Sequence, residues 1–130
     1  QAHPQVVAEI IAGVTRHGGR AVQDPETDLL RVNDEFTVSI VLARCTATAA
    51  GSLRWRIRLD AGLVPDITIA VRMDEVNELP RDYYVLPSID MTFGKLKFAE
   101  QNGLALDAYR FDTLDFFYAL ASRARIAEVA

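Results

Sequence analysis

Two stretches in the middle of the chain decide the fold class: residues 36–44 read FTVSIVLAR and residues 53–59 read LRWRIRL. The first is rich in β-branched and apolar residues, which is typical of a buried central strand. The second alternates apolar and basic side chains, and a strand places alternate side chains on opposite faces, so Trp55 is predicted to be core. Because only residues 46–52 separate the two stretches, too few for a crossover helix, we expect the two strands to pair antiparallel.

Apolar residues recur with helical spacing near both ends of the chain. Residues 4–16 carry a single apolar stripe, which predicts an amphipathic helix that ends at Gly18 and Gly19. Further short strands are predicted at residues 20–23, 28–32, 66–73 and 83–86, and helical segments at residues 91–101 and 112–126, the second capped by Asp112. This order predicts an α/β (α+β) fold class with a central mixed β-sheet of about five or six strands flanked by helices.

Length and composition are those of one globular domain. The chain has 130 residues, of which 50% are hydrophobic and 25% are charged. No apolar run approaches the roughly 20 residues that a membrane-spanning helix needs, so we expect no membrane contact. The single Cys45 cannot form an internal disulfide, and we expect a reducing, cytoplasmic location. Because the chain starts at Gln1 without an initiator Met, we expect residues 1–130 to be one domain of a longer protein.

Basic side chains are concentrated on one predicted strand, although the formal net charge of −4 argues against a dedicated nucleic-acid-binding domain. Twelve of the fourteen basic residues are arginines, whose planar guanidinium groups suit phosphate. Three of them share one strand face and span about 14 Å: Arg54, Arg56 and Arg58. Arg44 either extends this DNA-binding stripe or pairs with Asp28 or Asp34. The alternative interpretation is a solvated face with acidic neighbours such as Asp60.

An ordered set of short motifs runs through residues 4–90. Glu9 lies on the predicted first helix, Asp28 opens the second predicted strand, and the FTVSIVLAR strand follows it. Residues 65–71 then read PDITIAV, and residues 82–87 read DYYVLP. This order resembles the PD-(D/E)XK nuclease superfamily, in which an Asp and a Glu-x-Lys pair on the next strand hold Mg²⁺ and stabilise the charge that develops on phosphate. The resemblance implies a restriction-endonuclease-like core.

The Glu-x-Lys pair of that superfamily falls on Ser39 and Val41 in this chain. Side chains two residues apart share one face of a strand, so the two positions would act together. Ser39 is a poor ligand for a hard cation and Val41 carries no charge, which leaves Asp28 and Glu9 as the carboxylates of the pattern. The resemblance therefore implies a degenerate active site with no catalytic residue, no metal site and no cofactor.

Three functions remain open on the sequence. The leading hypothesis is a catalytically inactive nuclease-like module that binds DNA or contacts another domain or protein within a larger DNA recombination, repair or regulatory protein. The second is an active Mg²⁺-dependent endonuclease with a migrated site. Its candidate carboxylates are Asp28, Glu9 and Asp34, with Glu35 or Asp66 as further recruits. The third is a pure protein-interaction or homodimerisation module, in which the broad apolar helix at residues 112–126 binds a partner or forms a dimer and the arginines are incidental. We also expect Leu114, Phe117 and Leu120 to be substantially buried, against the sheet or a second copy.

Overall fold

The structure, a computed structural model, describes residues 4–59, 62, 64–92, 94–100 and 102–129. Within these residues it contains three α-helices and nine strands. The helices are α1 (Pro4–Arg16), α2 (Leu104–Asp107) and α3 (Asp115–Val129). The strands are β1 (Ala21–Gln23), β2 (Leu30–Val32), β3 (Phe36–Ala43), β4 (Cys45–Ala47), β5 (Leu53–Leu59), β6 (Ile67–Met73), β7 (Pro80–Pro87), β8 (Gly94–Ala99) and β9 (Arg110–Phe111). The predicted α+β class and the helix at residues 4–16 are confirmed.

A six-stranded mixed sheet forms the centre of the molecule, with the strand order β1-β2-β3-β6-β7-β9. Strands β3 and β6 are parallel, with Val38 opposite Ile67, and every other pair in this main sheet is antiparallel. One face packs against α1 and α3 through a core that includes Ile10, Ile69 and Phe117. No helix in the described part of the chain is long and apolar enough to cross a membrane.

A smaller antiparallel sheet, ordered β4-β5-β8, covers the other face of the main sheet. Its inner side chains include Trp55 and Phe98, which lie opposite each other and are fully buried. They pack against Ala70 and Tyr84, side chains that point from β6 and β7 away from the helices. The molecule therefore has three layers: helices, main sheet and small sheet.

The predicted antiparallel pairing of residues 36–44 with residues 53–59 is wrong. Residues 46–52 are not simply a loop, because β4 begins at Cys45, extends into them as far as Ala47 and pairs with β5, which places Cys45 opposite Trp55. The chain leaves the main sheet at Arg44, forms β4 and β5 of the small sheet, and returns to the main sheet as β6, which pairs parallel with β3. This two-strand connection replaces the crossover helix that usually connects parallel strands.

Two further predictions about the second half of the chain are wrong. The segment expected to be helical at residues 91–101 contains β8, where Lys95 and Lys97 alternate with Leu96 and Phe98. That alternation has the period of two that defines a half-buried strand. Asp112 does not cap α3, since its carboxylate accepts a hydrogen bond from Arg110 and the helix begins at Asp115.

A buried arginine joins the two sheets. Nε and Nη2 of Arg72 on β6 donate to the two carboxylate oxygens of Asp82 on β7, at 2.7 and 2.6 Å. Nη1 of Arg72 donates to the carbonyl oxygen of Ala99, the last residue of β8. The guanidinium carbon lies 4.5 Å from the ring centre of Trp55 and 5.2 Å from that of Tyr84. One side chain thus contacts both sheets by ion pairing, hydrogen bonding and cation–π attraction.

Besides its apolar packing, helix α3 is fixed by a hydrogen bond from Asn33 and by a close approach to α1. The buried Asn33, in the turn between β2 and β3, accepts a hydrogen bond from the Arg20 amide at 2.8 Å and donates to the Ala121 carbonyl at 2.7 Å. Asn33 has a φ of 57°, a conformation that Asn tolerates better than most residues. Gly13 on α1 lies directly beneath the ring of Tyr118, where a Cβ atom would overlap the ring.

Candidate functional site

The outer face of the small sheet carries the predicted arginine stripe. Along β5, Trp55 and Ile57 are buried, whereas Arg56 and Arg58 are exposed and Arg54 is half-buried. The alternation arises because successive side chains of a strand point to opposite faces. Since β5 is paired on both sides, by β4 and β8, its backbone is the most constrained of the three strands.

Both lysines of the chain face this stripe from β8. The antiparallel register places Lys97 opposite Arg56 and Lys95 opposite Arg58, and all four side chains are exposed. Directly opposite residues of an antiparallel pair lie on the same face, with Cβ atoms about 4.5–5.5 Å apart. The sequence interpretation missed both lysines because β8 was predicted to be helical. Their alternation with Leu96 was the signal that could have revealed them.

Arg44 extends the same surface. It follows β3, between the buried Ala43 and Cys45, and lines a shallow groove of about 480 Å³ together with Arg56 and Thr46. Among the described residues, Arg44 forms no ion pair with either of the predicted partners, Asp28 and Asp34, and Asp34 pairs with Arg20 instead, at 3.5 Å. We call the set of six cations the basic face: Arg44, Arg54, Arg56, Arg58, Lys95 and Lys97.

The basic face lacks neutralising carboxylates over the part of the chain that the structure describes. None of its six cations has a carboxylate oxygen within 4 Å among those residues. Like charges directly opposite each other destabilise an antiparallel pair, by amounts comparable to the 0.2–1 kcal/mol of favourable pairs. The rest of the chain carries eight basic against eighteen acidic side chains, so the positive charge is segregated.

A second arginine-lined cavity, of about 720 Å³, lies beside Arg54 and differs in its charge balance. Arg81 lies 3.9 Å from Glu100, and Arg110 lies 2.7 Å from Asp112 and 3.4 Å from Asp82. The buried Arg72 is bound to Asp82 on two atoms. Apart from Arg54, the guanidinium groups of this cavity are therefore already paired with carboxylates. The sequence interpretation missed this network, because its members are distant along the chain.

The carboxylates of the migrated-site hypothesis lie apart from one another. Asp28 lines a groove of about 520 Å³ with Ser39 and Val41. Glu9 lines another groove, of about 160 Å³, with Arg44. Asp28 does not open β2 as predicted, because it has a φ of 62° in the turn before that strand.

The remaining carboxylates of that hypothesis make other contacts. Asp34 pairs with Arg20, and Asp66 accepts a hydrogen bond from the Thr37 amide at 2.8 Å. Glu35 is exposed in the turn that precedes β3. In the described ranges, no group of three His, Cys, Asp or Glu side chains is placed to hold a metal ion.

Cys45 and Tyr84 are buried titratable groups next to the small sheet. Burial raises the pKa of the Cys45 thiol, which keeps it protonated near neutral pH. Burial, followed by the hydrogen bond to Asp107, raises the pKa of Tyr84 to about 12. The Tyr84 hydroxyl donates to Asp107 at 2.8 Å and accepts from the Asn102 amide at 2.9 Å. Both groups are thus held neutral and stabilise the packing between the sheets.

The apolar arc of α3 is largely covered by its own chain. Leu114 and Phe117 are buried as predicted, and Tyr118 is buried beside them. Leu120 was also predicted to be buried but is 38% exposed. Phe116 is 56% exposed and stacks on Phe111 of β9, with ring centres 5.2 Å apart. The helix therefore packs on the main sheet, and a small aromatic patch remains at its outer side.

Comparison with known proteins gives one structural likeness. No family model matches the chain, and none of the curated proteins matches it. Among solved structures, it is similar to a bacterial homing endonuclease, I-Ssp6803I, with a TM-score of 0.48 and 14% sequence identity over 100% of both chains. These values transfer no function from that protein to this chain.

Proposed function

We propose that this chain is a catalytically inactive, nuclease-like module that binds DNA through the basic face of its small sheet. The observation that carries the proposal is the register of β5 and β8, which places Arg56 opposite Lys97 and Arg58 opposite Lys95. Contacts of Lys and Arg with phosphate supply most of the sequence-independent affinity of proteins for DNA. The module would work within a larger DNA-processing protein, where other domains add contacts.

Charge segregation supports a bound polyanion over a merely solvated face. A solvated face gains nothing from two like-charged cross-strand pairs, which repel each other at short range. A phosphate backbone placed over the face would offset that repulsion at several points at once. Because the central strand β5 is paired on both sides, the backbone positions from which its three arginines project are fixed before the ligand arrives.

The residues of the groove beside α1 support the proposal that the module is catalytically inactive. Its polar residues include Asp28 and Ser39, and Val41 stands where the resemblance implies a lysine. Glu9 lines a different groove, so it does not add a second carboxylate beside Asp28. A chain of this kind would keep the fold and the DNA contact while the residues that activate water have been replaced.

The DNA-binding test is a salt titration of a fluorescently labelled duplex. Each neutralised phosphate contributes about −0.9 to the slope of log K against log salt, so six cations give a slope of about −5. Replacing Arg54, Arg56 and Arg58 by Gln should reduce the slope to about −3, because three cations remain. Since the chain is acidic overall, binding of the isolated module should be detectable chiefly at low salt.

A matched control separates the basic face from total charge. Replacing three exposed arginines outside the face by Gln changes the net charge equally and should leave the slope near that of the original chain: Arg16, Arg31 and Arg123. Equal losses in the two triple variants, or no binding at 50 mM salt, would contradict the proposed interface. Cleavage of the duplex in Mg²⁺ that disappears in Asp28→Asn would contradict catalytic inactivity.

A further inference from the structure

Three cations lie in a row across the small sheet. In the β4–β5 ladder, Cys45 is opposite Trp55 and Thr46 is opposite Arg54. Continuing that register by one residue brings Arg44 beside Arg56, and Arg56 in turn faces Lys97 on its other side. Neighbouring strands are about 4.8 Å apart, so the three Cα atoms span only about 10 Å. This row is the densest concentration of positive charge on the basic face.

A groove lies between Arg44 and Arg56, at one end of this row. It has a volume of about 480 Å³, and its lining residues are Leu42, Arg44, Thr46, Ala47 and Arg56. Its lining consists of two guanidinium groups, one hydroxyl and two apolar side chains, and it includes no carboxylate. In the cavity beside Arg54, by contrast, Arg72, Arg81 and Arg110 are already paired with carboxylates.

The groove is built on fixed backbone. The Asn77 side chain accepts a hydrogen bond from the Cys45 amide at 2.6 Å and donates to the Cys45 carbonyl at 3.2 Å. Ala43 and Cys45, on either side of Arg44, are buried, so Arg44 is directed outward. Arg56 lies on the central strand of the small sheet. The backbone positions from which the two arginines project are therefore fixed, and their forked donors suit the oxygens of a tetrahedral oxyanion.

We propose that the groove between Arg44 and Arg56 is a discrete binding site for a single phosphate group. The inference rests on the proposed function and deepens it, since it assigns one anchored contact within an otherwise diffuse basic face. Arg44 and Arg56 each bind phosphate oxygens through their guanidinium nitrogens, and Lys97 adds charge from the neighbouring strand. The phosphate comes either from an internal phosphodiester or from a terminal phosphate monoester, which share this chemistry.

Inorganic phosphate at constant ionic strength is the first probe. In ¹H–¹⁵N spectra of the arginine Nε groups, added phosphate should shift the Arg44 and Arg56 signals and leave the control Arg31 unchanged. Arg44→Gln should weaken phosphate binding at least about tenfold, because it removes a charge-assisted pair. Arg44→Lys keeps the charge but not the fork and should still weaken binding several-fold. Arg58→Gln, on the same face but outside the groove, should change the affinity for inorganic phosphate little.

Duplexes with and without a 5′-phosphate then identify the source. Tighter binding of the phosphorylated duplex, lost in Arg44→Lys, assigns the site to a terminal phosphate. Equal binding of both duplexes, weakened by Arg44→Lys, assigns it to an internal phosphodiester. Either result supports the site. Wild-type phosphate affinity in Arg44→Lys, or phosphate-induced shifts spread evenly over all the arginines of the basic face, would overturn it. Retained phosphate binding without any DNA binding would instead refute the proposed function alone.

Discussion

At the scale of single residues, Gly13 shows how one missing side chain determines the packing of two helices. Gly13 lies inside α1, where alanine would ordinarily stabilise a helix by about 1 kcal/mol. Here the Tyr118 ring of α3 occupies the space that a Cβ atom would need. Tyr118 is buried against the same core, so it cannot move aside into solvent without losing that packing. The tertiary contact therefore overrides the helix propensity.

We expect Gly13→Ala to lower the free energy of unfolding by about 1–3 kcal/mol, as other overpacked core positions do. Urea denaturation measures the change. Gly103→Ala is the matched control, since nothing lies within 4 Å of a Cβ at that position, and it should change stability little. A double variant with Tyr118→Leu should recover part of the loss. A Gly13→Ala protein more stable than the original would show that the two helices do not pack as described.

At the scale of secondary-structure elements, the Arg72–Asp82 pair determines how the small sheet meets the main sheet. Both side chains are almost completely buried, and Arg72 also binds the end of β8 and lies over Trp55. Removing one partner of a buried pair leaves an uncompensated charge and costs about 3–5 kcal/mol. The Arg20–Asp34 pair, in contrast, is exposed to solvent. Its charged atoms lie 3.5 Å apart, and the side chains of Arg20 and Asp34 are 62% and 65% exposed.

Asp82→Asn or Arg72→Met should each destabilise the chain by about 3–5 kcal/mol. The double variant Arg72→Met/Asp82→Leu should lose much less, because no unpaired charge remains. Arg20→Gln is the control and should cost about 1 kcal/mol or less. Chemical denaturation of the four proteins provides the comparison. If the single and double variants were equally unstable, then the packing of the two side chains, and not their charges, would hold the sheets together.

At the scale of the whole molecule, titratable groups link stability to pH at the alkaline end. The pKa of each of the four tyrosines is raised: Tyr83, Tyr84, Tyr109 and Tyr118. Burial is the main cause at every one except Tyr109, where the hydrogen bond to Asp90 comes first. An unfolded tyrosine ionises near pH 10. A raised pKa in the folded state means that the folded chain keeps protons that the unfolded chain releases.

The tyrosine contribution to stability should therefore be complete below about pH 10 and be lost as the pH rises towards about 12, the pKa of Tyr84. We therefore expect the urea concentration at the midpoint of unfolding, measured from pH 8 to pH 11, to decrease once the pH exceeds about 10. Tyr84→Phe should be less stable at pH 8, since Asp107 and Asn102 lose their partner, but its midpoint should decline less steeply. If the urea midpoints of the original chain and of Tyr84→Phe declined equally with pH, then Tyr84 would not be the cause of the alkaline loss of stability.

Local patterns in the sequence determined several features that the structure retains. The apolar stripe of residues 4–16 predicted α1, and the alternation in residues 53–59 predicted both a buried Trp55 and outward arginines. These predictions succeed because helical and strand periodicities depend on neighbouring residues of the same segment. The same signal was present at Lys95 to Phe98, and reading those residues as helical was a misinterpretation of it.

Only the tertiary structure decided which segments meet. Strand β3 pairs with β6, and not with the nearer β5, because each sheet has its own apolar faces to bury and β4 provides β5 with a closer partner. The lysines of β8 face the arginines of β5, and Arg72 meets Asp82, through pairings that no local pattern encodes. The side chains of the basic face follow from sequence periodicity. Their assembly into one surface follows from long-range strand pairing, which depends on the packing of the whole chain.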